Sequence, residues 1–296
     1  MFFDSVPTLE QLEETASFLK SQCPDFNALI GIQLGTGSNE MADKFDSTPK
    51  PISVPFSAIP NFSICTAIGH YGEFIFGYIK GVPVICLKGR VHLYEGISLA
   101  HTTFPIRVLA KLGIKIVVLT NAAGCLEATW NLGDIMIVSD HINMLGTNPL
   151  IGPNLDYFPP HSVRFPDMSN AYDAELRQVV KDAARECGIS SKIREGVYLA
   201  YSGPSFETGA ETRFFQCVGA SSVGMSTVAE SIVAVHSGLK CVALSVQTDI
   251  CVADAHPDGE AIIQVGKEAT LTLYTLIAHM ITKLNSIAAQ TQTPSQ

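Results

Sequence analysis

Strand-length apolar runs, each emptying into a small, polar or glycine-rich cluster with helical segments between them, constrain this chain more than any other feature. Residues 28–34 (ALIGIQL) end at Gly35-Thr36-Gly37-Ser38, 114–119 at Thr120-Asn121-Ala122-Ala123-Gly124, 135–138 at Ser139-Asp140-His141-Ile142-Asn143, and 240–246 at Gln247-Thr248-Asp249. Continuous apolar runs of this length are what strands buried on both faces need. Thr8 and Gln11 have the spacing of a capping box, so an amphipathic helix opens the chain. Residues 74–79 and 82–87, split by Lys80-Gly81, read as a hairpin, and 197–201 and 222–225 as short strands. Helical spacing covers 99–112, the segment after Ser169-Asn170, 226–235 and 260–287. The alternation predicts an α/β fold: a single domain over 1–287, with a mixed, largely parallel central β-sheet flanked by helices. Residues 288–296 are polar and expected to be a disordered tail. The proline-rich stretch 146–166 reads as a loop excursion rather than a linker.

Composition narrows the function classes. Lys plus Arg is 19 and Asp plus Glu 28, a net charge of −9, which repels nucleic acid and anionic membranes. No run approaches the ~20 apolar residues of a spanning helix. The first residues lack a basic segment followed by an apolar core, so a cytoplasmic protein is expected. The eight cysteines are spread singly, which argues against a disulfide framework or a zinc site, and no metal is expected.

In open parallel sheets ligands sit at the carboxyl ends of strands, which singles out Thr36, Arg90, Asn121, Glu207, Ser226 and Asp249. Gly35-Thr36-Gly37-Ser38 offers backbone N–H groups and hydroxyls to an oxyanion. It has neither the G-x-G-x-x-G of a dinucleotide site nor a Walker ending, so alone it reads as an ordinary turn, and a dinucleotide-dependent oxidoreductase is poorly supported. Arg90 with His92 suits a phosphate dianion, although in isolation the pair reads as a surface arginine and a structural histidine. Met225 and Phe206 taken singly are core residues, and Glu207 a complement to a helix dipole.

Taken together, the motifs Gly35-Thr36-Gly37, Gly89-Arg90-Val91-His92-Leu93-Tyr94-Glu95-Gly96, Thr120-Asn121-Ala122-Ala123-Gly124, Gly133-Asp134-Ile135-Met136, Asp140-His141-Ile142-Asn143, Gly203-Pro204-Ser205-Phe206-Glu207-Thr208 and Val223-Gly224-Met225-Ser226-Thr227 carry a resemblance. In this order, over about 29–249, the chain resembles the trimeric class of purine nucleoside phosphorylases. The resemblance implies a nucleoside phosphorylase fold and reversible phosphorolysis of purine nucleosides to free base and ribose 1-phosphate. It implies phosphate binding by Thr36, His70, Arg90, His92, Ala122 and Ser226, and ribose contacts from Tyr94 and Met225. It places Ala123, Tyr198, Phe206, Glu207, Gln247, Thr248 and Asp249 at the base, with His92, Glu207 and Asp249 as the catalytic residues. It further implies a homotrimer in which Phe158 reaches into a neighbouring subunit's site, and no cofactor, orthophosphate being the co-substrate.

The chain departs from that pattern at the base. The family carries Asn where Asp249 stands; a carboxylate there repels a 6-carbonyl and accepts from a 6-amino group. Thr248-Asp249 resembles the methylthioadenosine phosphorylases, and Gln247 is polar where an aliphatic residue is usual. The family's ribose-contacting histidine aligns with Gly259 or a gap, His256 being the nearest imidazole. Base selectivity shifted by Asp249 and Gln247 toward amino-bearing nucleosides, adenosine and cytidine, is therefore expected. The alternatives are a methylthioadenosine phosphorylase and, in another class, a nucleoside-binding protein without turnover.

Overall fold

The computed structural model describes residues 6–67, 71–251 and 258–291. Helix α1 (Leu9–Gln22) begins at the expected capping box, the Thr8 hydroxyl accepting from the Gln11 N–H and the Gln11 side chain from the Thr8 N–H. It is followed by β1 (Ile30–Leu34), a short β2 (Ile52–Pro55) without a sequence signal, and the hairpin β3 (Glu73–Ile79) and β4 (Val82–Lys88). Asp46 accepts from the Lys80 and Gly81 N–H groups at that turn. The single helix expected over 99–112 is two, α2 (Leu99–Thr102) and α3 (Phe104–Lys111), with the break before Pro105, whose ring lacks the N–H a continuous helix needs. Then come β5 (Ile116–Cys125), β6 (Ile135–Met144), α4 (Ala174–Glu186), β7 (Ile193–Tyr201), α5 (Gly209–Cys217), β8 (Ser222–Gly224), α6 (Val228–His236), β9 (Lys240–Ile250) and α7 (Gly259–Gln290). Helix α7 runs past Ile287, so residues 288–290 are helical.

The nine strands form one mixed sheet in the order β2-β3-β4-β1-β5-β8-β7-β6-β9. Strand β9 also pairs with β5 in parallel, so β5, β8, β7, β6 and β9 close into a ring. Alternate residues of each strand serve opposite layers. Ile116 and Val118 join Val242 and Leu244 under α4 and α7, whereas Val117 and Leu119 join Cys241 and Ala243 under α1, α3 and α6. A satellite cluster of Leu126, Leu199, Phe215, Val223 and Cys251 lies under α5.

Strands β5, β6 and β9 run well beyond their apolar runs, and this is the main difference from the sequence reading. At the ends of β5 and β9, Asn121, Ser245 and Gln247 remain in the ladder because they find partners inside the ring, whereas Asp140 and Asn143 of β6 are exposed. Asn121 Nδ2 donates to Thr227 Oγ1 at 2.9 Å, and Ser245 Oγ donates to Asn121 Oδ1 at 2.7 Å. Thr120-Asn121-Ala122-Ala123-Gly124 and Gln247-Thr248-Asp249 are therefore rigid strand ends rather than loops.

The loop after β1 is held against α7. Gly37 has φ +79°, and a Cβ there would lie 2.7 Å from Gly266 Cα, while Thr270 Oγ1 donates to Gly37 O. Gly37→Ala is expected to destabilise the fold by about 1–3 kcal/mol, through positive-φ strain and this backbone contact. Urea denaturation checks it; an unchanged midpoint contradicts the account.

Candidate active site

A cavity of about 660 Å³ opens where the loop after β1 meets the carboxyl ends of β5 and β9, the β8–α6 junction and the first turn of α7. One end is built for an anion. Arg90, just beyond β4, is 4% exposed and held by Glu230 of α6: Nε donates to Oε1 at 2.9 Å and a terminal nitrogen to Oε2 at 3.1 Å. Its other terminal nitrogen donates to Thr120 O at 2.9 Å, so the guanidinium plane is fixed from both sides. Such a fork pre-orients donors at little entropic cost. Glu230 carried no sequence signal beyond being an acid inside an otherwise apolar helix.

His92 is positioned by Glu95. The Glu95 Oε1 atom accepts from the His92 N–H at 2.6 Å and lies 3.3 Å from His92 Nδ1, while the ring stacks on Tyr94 at 4.7 Å. Glu95 Oε2 accepts from the Thr66 N–H, the Thr66 hydroxyl and the Ala67 N–H, tying the segment before residue 68 to His92. Burial pushes the Glu95 carboxyl up, but hydrogen bonds from His92 and Thr66 outweigh it and bring it down to about 2. Burial, reinforced by the Glu95 charge, pushes the Tyr94 phenol up to about 12, so it remains a donor. Thr36, Ala122 and Ser226 line the same end. Ser226 is presented by Thr227, a β-branched residue at φ +69° whose side chain Asn121 anchors; a positive φ in such a residue persists only where its surroundings fix it. His70 and His256 lie outside the described residues.

The other end is acidic. Glu207 stands just before the Thr208 cap of α5 rather than in its first turn, so a dipole role does not account for it. Tyr201 Oη donates to Ser205 O at 2.8 Å and lies 3.2 Å from Glu207 Oε2, and the Cys251 thiol donates to Glu207 Oε1 at 2.6 Å and lies 3.2 Å from Asp249 Oδ2. Burial, and then the Glu207 charge, raises the Asp249 carboxyl above its ordinary value. Among the described residues, Glu207, Asp249 and Cys251 form the one group of His, Cys, Asp or Glu donors within 4.8 Å of one another. The thiol brings one proton to the two carboxyl groups, and its shorter contact is to Glu207. Phe206, 41% exposed, and Met225 both line the cavity rather than the core. Ala123, Gly124 and Thr248 complete this end, and Asp258, Gly259 and Glu260 of the α7 start face it.

Two residues expected at the base lie behind the wall. The register between β5 and β9 shifts at Ala123/Gly124, pairing Ala123 with Gln247 and Gly124 with Asp249. Thr248 is the extra residue, so Thr248 and Asp249 both reach the cavity while Gln247 turns away. Gln247 is fully buried, accepting from Ser222 Oγ at 3.0 Å and donating to Ser245 O at 3.1 Å. Tyr198 is fully buried as well, its hydroxyl beneath Gly224 where a Cβ would lie 2.2 Å away. Three residues further along β7, an odd spacing that reverses the face, Tyr201 lines the cavity instead. Phe158 is half-buried against the core of its own chain and tilted on Tyr157. Tyr157 is fixed in its own subunit, its hydroxyl donating to Pro7 O beneath the Arg107 guanidinium.

No helix among the described residues is long and apolar enough to cross a membrane. The family model described as the phosphorylase superfamily matches residues 29–282. Purine nucleoside phosphorylase 1 of Geobacillus stearothermophilus is 45% identical over 79% of this chain and 82% of its own length. Purine nucleoside phosphorylase of Bos taurus is 38% identical over 94% of this chain and 96% of its own. Among solved structures, Schistosoma mansoni purine nucleoside phosphorylase in complex with adenosine superposes with a TM-score of 0.87 at 35% identity, covering 95% of this chain and 99% of that one. Isoform 2 from the same organism, in complex with cytosine and ribose 1-phosphate, superposes with a TM-score of 0.87 at 33% identity, covering 95% and 98%. With this fold and these matches over most of its length, the chain belongs to the phosphorylase superfamily, as a pentosyltransferase of the purine nucleoside phosphorylase family.

Proposed function

We propose that this phosphorylase cleaves amino-bearing nucleosides, adenosine and also cytidine, beside inosine and guanosine, and that Asp249 sets this selectivity. In this reading orthophosphate sits among Thr36, Arg90, His92, the Ala122 N–H and Ser226, and needs no metal or organic cofactor. Its oxygen attacks C1′ as the bond to the base breaks; the base leaves with that electron pair and is protonated by solvent or, at N7 of a purine, by protonated Asp249. The phosphate, fixed beneath the sugar, stabilises the oxocarbenium-like charge that develops there. Tyr94 and Met225 bound the ribose, Phe206 lies against the base, and Glu207 accepts from the N1–H of a 6-oxopurine or from the amino group of an amino-bearing base, adenine having no N1 proton to give. A homotrimer belongs to the same proposal, and sedimentation velocity at assay concentration tests it.

The single observation that carries the selectivity is the Asp249 carboxyl on the cavity wall beside Glu207, where an amide is usual. Gln247, turned away from the cavity, takes no part. Ionised, Asp249 accepts from a 6-amino group; protonated, it donates to N7 or to a 6-carbonyl. The solved relatives bound to adenosine and to cytosine with ribose 1-phosphate support a pocket of this family taking amino-bearing bases. Base release from inosine, guanosine, adenosine and cytidine, with and without phosphate, tests it: phosphate-dependent turnover of adenosine is expected, and strict use of 6-oxopurines overturns it.

A pH dependence follows. Asp249 titrates above the usual carboxylate range because burial and Glu207 disfavour its charge. As pH rises through that titration the group changes from donor to acceptor, so the adenosine-to-inosine ratio of kcat/KM is expected to increase. A flat ratio across the titration contradicts the assignment.

A further inference from the structure

We infer that Cys251, which does not line the cavity, is the positioning residue for base recognition: its thiol joins the Glu207 and Asp249 carboxyl groups and fixes their aim. Its sulfur lies 2.6 Å from Glu207 Oε1 and 3.2 Å from Asp249 Oδ2, and the side chain is 5% exposed. A thiol has one proton, and the shorter contact assigns it to Glu207. The sulfur lone pairs then face Asp249, an arrangement that accepts from a protonated carboxyl and opposes an ionised one. Room for the sulfur comes from Gly124, where a Cβ would lie 2.2 Å from it. Leu126, Leu199, Phe215 and Val223 pack the rest of this cluster. The Tyr201 hydroxyl lies 3.2 Å from the second oxygen of Glu207 but has a shorter contact to Ser205 O at 2.8 Å, so the thiol is the closer of the two donors to the Glu207 carboxylate.

Burial and the two flanking carboxylates push the thiol far up, so Cys251 remains an S–H donor rather than a nucleophile at neutral pH. The role is distinct from catalysis: the thiol touches neither nucleoside nor phosphate, and acts through two groups that meet the base. The inference rests on the base-end assignment of Glu207 and Asp249 but not on which base is preferred, so strict inosine use leaves it standing.

The test compares Cys251→Ser, Cys251→Ala and Cys251→Val by steady-state kinetics, varying nucleoside at saturating phosphate and phosphate at saturating nucleoside. Losing a hydrogen bond to a charged group is worth roughly tenfold or more, so Val and Ala are expected to lower nucleoside kcat/KM by about that factor. Ser, which restores a donor, is expected to remain within about threefold of the parent, with phosphate KM within about twofold for all variants, since Arg90 and His92 are untouched. Circular dichroism confirms folding, and if Val overpacks the cluster, Ala decides the outcome. Unchanged nucleoside kcat/KM in a folded Ala variant, or an equal rise in phosphate and nucleoside KM, overturns the inference.

Discussion

Glu230→Ala is expected to weaken the fold and the phosphate end together. Glu230 takes both edges of the Arg90 guanidinium inside a buried pair. Removing one partner of such a pair leaves an uncompensated charge, at a cost of about 3–5 kcal/mol. For a chain of this size that corresponds to a fall in the unfolding midpoint of roughly 5–8 °C. Arg90 then loses its fixed plane and keeps only its bond to Thr120 O among these anchors. A guanidinium aimed by its surroundings binds a dianion better than one that must be ordered on binding, so phosphate KM is expected to rise about tenfold or more. Nucleoside KM at saturating phosphate should change far less, because the base end is built from other elements. Glu230→Gln, which keeps shape and one acceptor, should fall between the two. Thermal melts and phosphate titrations check this; an alanine variant with parental midpoint and phosphate KM contradicts the geometry described.

Glu207→Ala is expected to do the reverse. Its carboxylate, engaged by Cys251, is the acceptor assigned to the N1 edge of the base. Deleting it removes a charge-assisted hydrogen bond to the substrate and leaves the Cys251 thiol without this acceptor. A site built to hydrogen-bond its substrate loses heavily when one partner goes, and kcat/KM for inosine and guanosine, which carry the N1–H, should drop by about 10²–10³-fold. Phosphate KM should remain near the parental value. Since Glu207 lies on the cavity wall outside the main core, stability should change by less than about 1 kcal/mol. If nucleoside kcat/KM falls less than about tenfold while the protein remains folded, Glu207 is not the base acceptor.

Both effects turn on features that the sequence discloses unevenly. The apolar runs announce β1, β4, β5 and β9, because a strand buried on two faces has no alternative but continuous apolar residues. Where those strands stop is hidden, since Asn121, Ser245 and Gln247 satisfy one another inside the ring and read as loop residues when taken singly. Thr36, Arg90, His92, Glu207 and Asp249 stand at strand ends or in recognisable motifs, and the structure gathers all of them in one cavity. Which face a residue takes is less legible. Period-two alternation alone puts Gln247 and Asp249 together; a single extra residue at Thr248 separates them. Tyr198 and Tyr201 are exchanged by the same parity. Glu230, Glu95 and Cys251 act through the side chains they hold, and such supporting contacts join residues as far apart as 90 and 230, which local patterns do not connect.

The net charge of −9 also acquires a local meaning. An acidic chain must still capture a phosphate dianion, and in the proposed reading it does so with the Arg90 guanidinium, aimed by Glu230, and His92, aimed by Glu95. At the opposite end of the cavity stand Glu207 and Asp249, which the same proposal makes selective for donors on the base.

The ratio of kcat/KM for adenosine to that for inosine, measured at one pH above the Asp249 titration in the parent and in Asp249→Asn, tests the central claim most directly. The account predicts a lower ratio in the Asn variant, by at least about tenfold, with inosine turnover raised or held and phosphate KM unchanged. An unchanged ratio, or a parent that releases no base from adenosine, would contradict it.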